Sequence, residues 1–234
     1  MFFSPTYMLL VMLPTAILSF YAQWRVKSAY GKWSEVANER GLSGLDTANA
    51  LMRHQGLEAV TIDRIPGMLT DHYDPRGKVM RLSQGSLQPS VAAMAIVAHE
   101  LGHAEQDKTG NAMLNLRASL VPAANIGSSL GVWIIIGGLF LQGAAPQLGI
   151  SLAWLGVLLF SAAVAFTLIT LPVEFDASRR AKKNLYAAGL ASPSEMKGVD
   201  AVLDAAALTY VAAAAAAVLN LLYWISLISG RSRD

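Results

Sequence analysis

The chain has 234 residues, 54% of them hydrophobic, and a mean hydropathy of +0.42, a balance that points away from an ordinary soluble domain. A net charge of +2 names no partner by itself, and with no basic stripe, RNA-type motif or glycine-rich phosphate loop, nucleic acid is not expected as one. Cysteine is absent, so disulfides and thiolate metal ligands are excluded and a reducing compartment is permitted.

Residues 1–24 carry no charge and are read as a first transmembrane helix. A cleaved signal peptide fits less well, because no Lys or Arg precedes the apolar stretch and no small-x-small site closes it. Residues 25–117 hold most of the charge and are expected to form the water-facing domain. Lys27 to Arg40 reads as a continuation of the first helix, with Trp24, Tyr30 and Trp33 suited to an interface. Leu45 to Gln55 predicts a short helix ending at Gly56, Val60-Thr61-Ile62 has strand character, and Tyr73 to Leu82 predicts a hairpin turning at Asp74-Pro75-Arg76-Gly77. Ser90 is the expected N-cap of a helix from Val91 to about Asp107.

The 56 residues from Ala118 to Val173 contain no Asp, Glu, Lys or Arg. That length accommodates two spans of about 20 residues each. They are expected at 118–143 and 148–173, with a turn in Gln142-Gly143-Ala144-Ala145-Pro146-Gln147. Residues 174–204 form a second hydrophilic segment carrying Arg179, Arg180, Lys182 and Lys183, broken into two helices at Pro193-Ser194. Residues 205–230 complete a set of four spans, and the alanine run Ala212–Ala217 suits close helix packing in a bilayer.

The chemistry is expected on the Val91–Asp107 helix, where His99-Glu100-Leu101-Gly102-His103 matches H-E-x-x-H. Residues four apart lie on one helix face, so two imidazoles can reach one Zn²⁺ at about 2.0–2.1 Å while the carboxylate between them addresses an attacking water. Glu100 would take the water's proton and return it to the leaving amine. Gly102 lets another element approach beside the metal. Catalytic zinc takes three protein ligands and keeps one open position, so a third donor is required. Glu174 is the expected one: it is the first charge after the long uncharged run, in Leu171-Pro172-Val173-Glu174-Phe175-Asp176-Ala177-Ser178. Asp176 is its rival, and being two residues on it faces away from Glu174 on a helix.

The motif pair, taken with Thr70-Asp71-His72-Tyr73-Asp74-Pro75, resembles the YugP-type membrane zinc metallopeptidases over nearly the whole chain. The resemblance implies a gluzincin with one zinc ion per chain, held by His99, His103 and Glu174, and Glu100 as general base. It also implies a mainly α membrane protein, with four transmembrane helices and a small α+β zincin-like catalytic domain. A more distant likeness is to membrane proteases of the HtpX and CAAX-prenyl-protease type, which usually place Asp four residues after the ligand glutamate. This chain has Ser178 there. A carboxylate at that position can orient a ligand histidine, so Asp176 or a backbone carbonyl is expected to stand in beside Ser178.

Two histidines remain. His72, beside the hairpin, is a candidate for stabilising the oxyanion, with a structural role as the alternative, and His54 reads as a surface or capping residue. The hairpin itself can bind an extended peptide by strand addition or merely cover the core. Of the 18 Lys and Arg, 11 lie in 25–117, five in 174–204 and two after Gly230, and the loop near Pro146 has none. The positive-inside rule then puts both ligand segments in the cytoplasm, and the expected site is a bacterial inner membrane with the active site facing inward. Expected partners are the lipid bilayer and membrane-associated protein or peptide substrates, with an oligomer or a regulatory membrane partner left open. A catalytically inactive zinc-binding scaffold is the alternative function, and intact Glu100 argues against it. An intramembrane protease is disfavoured by the short apolar lead-in to His99, and a transporter by the scarcity of ionisable groups in the spans.

Overall fold

The structure is a computed structural model and describes residues 4–231; residues 1–3 of the expected first span, and Ser232 to Asp234, lie outside the described residues. Its elements in chain order are α1 (Pro5–Ser34), α2 (Gly44–Gln55), β1 (Thr61–Ile65), β2 (His72–Asp74), β3 (Val79–Ser83), α3 (Val91–Lys108), α4 (Ala112–Leu141), α5 (Pro146–Ala187) and α6 (Pro193–Arg231). Among the described residues, α1, α4, α5 and α6 are the four helices long and apolar enough to cross a membrane. The protein is a mainly α membrane protein with a small α+β part.

The chain divides into two compact units. The first comprises the described residues of Met1–Tyr21, Leu116–Leu171 and Tyr210–Asp234. Here α4 and α5 pack backbone to backbone, because small residues line both. A Cβ added at Gly138 would lie 2.5 Å from the Ala153 nitrogen, and one at Gly156 2.6 Å from the Ile135 nitrogen. Without a hydrophobic drive between helices in lipid, such close approach supplies the van der Waals contact that holds them. Ile135, Leu139, Ala153 and Val157 meet Trp224 and Ile228 of α6 in the buried part of this unit, and Tyr7 Oη donates to Asn220 Oδ1 at 3.0 Å.

The second unit comprises Ala22–Asn115 and Pro172–Thr209. Its core is built around α3, whose residues Val91 to Ala95, Val97, Ala98, Leu101 and Ala104 are all buried. Small side chains on most of this helix let neighbours close in on every face. Ser90 caps it, its hydroxyl accepting from the Ala93 N–H at 3.1 Å. α2 starts with a full capping box between Ser43 and Asp46 and stops at Gly56, whose φ of +64° is the left-handed end that glycine tolerates.

The sheet is three-stranded in the order β1-β3-β2. β2 and β3 form the expected hairpin, with His72 opposite Arg81 and Tyr73 opposite Met80. β1 pairs with β3 in parallel, Thr61 against Val79 through Ile65 against Ser83. Met80 and Leu82 are fully buried, and Val79 and Arg81, on the opposite face, are half-buried, which sets the register.

The continuation of the first helix ends at Ser34 rather than Arg40; Ala37 then pairs with Ser90 in an isolated bridge. α5 runs unbroken through Pro172 and Glu174, and α6 unbroken through residue 204, so the backbone has no break at either point. The break near Pro193 is real: α5 ends at Ala187 and Pro193 opens α6, where its missing N–H costs nothing.

Candidate metal centre

The centre is assembled where α3 meets α5 within the second unit. A Cβ at Gly102 would fall 2.5 Å from the Ala177 carbonyl oxygen and 3.1 Å from the Ala177 Cα, so only glycine lets the two backbones come this close. His99 and His103 flank Gly102 on α3, and Glu174 and Ser178 flank Ala177 on α5. The contact therefore brings one turn of each helix face to face.

Three ligand atoms converge there. His99 Nε2 lies 3.2 Å and His103 Nε2 3.5 Å from the same Glu174 oxygen, Oε2, and the three residues offer donor atoms all within 4.8 Å of one another. The two imidazoles stand nearly perpendicular, 86° between planes and 4.9 Å between centroids. Glu174 is 2% exposed, and a carboxylate this deeply buried needs charge or hydrogen-bond partners, among which are the two imidazoles. A tetrahedral ion with bonds of about 2.0–2.1 Å separates its ligands by about 3.3 Å. The two separations from Glu174 lie near that edge, and two imidazoles with one carboxylate are a donor set typical of catalytic zinc. The residues present fit the ion.

Each histidine is held from behind. Ser178 Oγ sits 3.2 Å from His99 Nδ1, and Gln106 Oε1 sits 3.0 Å from His103 Nδ1. Both Nδ1 atoms can thus carry the proton, leaving both Nε2 lone pairs for a metal. Gln106 is fully buried, and its Nε2 donates to the Val173 carbonyl at 2.8 Å and to Asp176 Oδ2 at 2.9 Å.

Asp176 does not join the ligand group. Its carboxylate takes Arg179 at 2.6 Å and Arg180 at 2.7 Å, and Arg180 reaches on to Glu105 at 2.8 Å. Ser178 is where a histidine orienter was expected. Gln106 escaped sequence reasoning, although its position one turn after His103 put it on the ligand face and was the available signal.

Glu100 lies between the two histidines in sequence and is fixed by β2, its Oε2 accepting from the Tyr73 N–H at 2.9 Å. Burial pushes its carboxyl above the ordinary range, with His99 and His103 pulling the other way. Burial alone would lower His103, but the hydrogen bond to Glu174 and the Glu100 charge outweigh it and raise this group. Tyr73 is further tied down by its hydroxyl, 2.7 Å from Asp107 Oδ2.

His72 is not drawn into the centre. It is exposed on β2, its Nδ1 3.0 Å from the Thr70 carbonyl and its Nε2 3.3 Å from Arg81. Beside it, Asp71 accepts from both the N–H and the hydroxyl of Ser83 at 2.7 Å, closing the sheet end. His54 is exposed in the last turn of α2.

Comparison with known proteins identifies the family. The sequence profile of a family described as "Putative neutral zinc metallopeptidase" matches residues 8–229. A protein of Bacillus subtilis (strain 168) described as "Putative membrane protease YugP" is 41% identical over 219 residues, which is 93% of this chain and 95% of the relative. No solved structure matches the chain.

Proposed function

The chain belongs to the neutral zinc metallopeptidase family just described, and from that premise we propose that it is a membrane-anchored endopeptidase. His99, His103 and Glu174 hold one zinc ion, and Glu100 is the general base. The observation that carries the reading is the convergence of both histidine Nε2 atoms on one buried Glu174 oxygen at tetrahedral-edge distances.

Zinc, when bound, supplies a Lewis acid that polarises the scissile carbonyl and makes water acidic enough to attack near neutral pH. The remaining work falls to the chain. Glu174 supplies the single negative ligand. Ser178 and Gln106 keep Nε2 of each histidine unprotonated. Glu100, held through one oxygen by the Tyr73 N–H, accepts the water proton on the other and passes it to the departing amine. Burial favours the protonated carboxyl between those two transfers. β2 is an edge strand of the sheet beside this carboxylate, so an extended peptide has backbone groups to pair with there.

The scaffold alternative accounts for the ligands but leaves Glu100 without purpose, and structural zinc sites close all four positions with protein groups. Both ligand segments, 25–117 and 174–204, contribute to the second unit and hold 16 of the 18 basic residues. This supports a cytoplasmic active site in a bacterial inner membrane. Membrane-associated proteins and peptides, including those removed in membrane-protein quality control, are the substrates such a position favours.

The test is Glu100→Gln. The amide keeps the shape but cannot take a proton, so peptide hydrolysis should be lost while zinc content stays at one per chain. Turnover equal to wild type in a clean preparation would refute the mechanism.

A further inference from the structure

Gln106 is fully buried, one turn beyond His103, and does not belong to the ligand group itself. What decides its role is the company its amide keeps. On one side lie two groups that only accept, the Val173 carbonyl and the Asp176 carboxylate, at 2.8 and 2.9 Å from Nε2. On the other lies His103 Nδ1, 3.0 Å from Oε1. The amide has one sense that satisfies this set: nitrogen toward Val173 and Asp176, oxygen toward the imidazole. An oxygen facing Nδ1 requires a proton on Nδ1. Nε2 is then bare.

We propose that Asp176, acting through Gln106, sets the tautomer of His103 and so makes it a competent zinc ligand. Gln106 is a positioning residue and Asp176 the anchor that fixes which way its amide points. Asp176 is suited to this because Arg179 holds its Oδ1 at 2.6 Å and Arg180 its Oδ2 at 2.7 Å. Asn111 Nδ2 adds a longer contact at 3.4 Å. Were the amide reversed, Nε2 would face His103, the ring would have to move its proton to Nε2, and the lone pair would point away from the site. His99 is oriented separately, by Ser178. The two histidines are thus set by two unconnected devices, a hydroxyl on one and an amide backed by a carboxylate on the other.

The inference rests on the zinc reading, and binding measurements separate the two. Zinc dissociation constants of the full chain in detergent would be measured by competition with a chelator of known affinity, for wild type, Gln106→Met, Asp176→Ala, Ser178→Ala and the relevant double variants. Loss of a group orienting a metal ligand typically weakens binding about 10–100-fold, and that is the loss expected for Gln106→Met, with a smaller one for Asp176→Ala. Gln106→Met with Asp176→Ala should bind no more weakly than Gln106→Met alone, because one acts through the other. Gln106→Met with Ser178→Ala should show the product of the single losses. Nitrogen-15 spectra of the zinc-loaded protein should show His103 in one state, protonated at Nδ1 and not at Nε2, in wild type and a departure from that single state in both Gln106→Met and Asp176→Ala. Packing damage alone would not shift that signal.

Wild-type affinity in folded Gln106→Met, or independent losses in Gln106→Met with Asp176→Ala, overturns the relay. If Gln106→Met does not fold, an unchanged His103 tautomer in Asp176→Ala overturns it equally. Wild type that takes up no zinc refutes the metallopeptidase reading and the relay with it. Zinc binding that follows this pattern in a protein without peptidase activity refutes only the former.

Discussion

Replacing Gly102 with alanine isolates the contact on which the centre depends. The new methyl carbon would lie 2.5 Å from the Ala177 carbonyl oxygen, roughly 0.9 Å short of an ordinary contact near 3.4 Å. The obstructing atoms are the backbone of α5, buried and hydrogen-bonded, so no side-chain rotation relieves the clash. The helices must part by several tenths of an ångström at the point that carries His99 and His103 on one side and Glu174 on the other. Overpacking of this kind costs about 1–3 kcal/mol, while alanine regains about 1 kcal/mol over glycine within a helix. Net stability should therefore change little, by about 0–2 kcal/mol. The metal has no such compensation. Ligand distances must stay within about 0.2 Å of ideal, and a displacement approaching 1 Å at a catalytic group costs on the order of 100-fold in rate. Purified Gly102→Ala is expected to unfold within a few degrees of the zinc-free wild type, to bind zinc at least tenfold more weakly, and to lose most peptidase activity. Wild-type zinc affinity in this variant would show that the helix contact does not set the ligand geometry.

Glu174→Ala should lower zinc occupancy and activity far more than Asp176→Ala, since Glu174 alone of the two faces both imidazoles; metal analysis giving the reverse order would hand the ligand role to Asp176. Glu100→Gln should separate turnover from zinc content, as described above. Single cysteines at Ser86, Gln147 and Ser232, in a chain with no native cysteine, test the sidedness. An impermeant thiol reagent on intact cells should modify the latter two and spare the first. Labelling at Ser86 alone would place the catalytic face outside the cytoplasm.

Much of this protein was legible one residue at a time. The absence of charge between Ala118 and Val173 marks lipid-compatible helix directly, because a charged side chain in hydrocarbon is costly wherever it points. His99 and His103 announce a shared helix face by spacing alone, and Ser90 and Gly56 are local start and stop chemistry. The strand pair around Asp74-Pro75-Arg76-Gly77 follows from turn residues between apolar ones. These features depend on near neighbours in the chain, and so does the end of α1 at Ser34, which was missed by six residues because no Gly or Pro marks it.

The tertiary structure decided what depends on distant neighbours. The parallel pairing of β1 with β3 requires knowing which strand lies beside which, and short strands of similar composition do not say. Near the metal, Asp176 and Gln106 are 70 residues apart, and whether a carboxylate meets an imidazole directly or through an amide depends on how two helices are rotated about their axes. That rotation is set by packing at Gly102 and Ala177. A backbone N–H such as that of Tyr73, which fixes Glu100, leaves no trace in residue identity at all, since every residue but proline carries one.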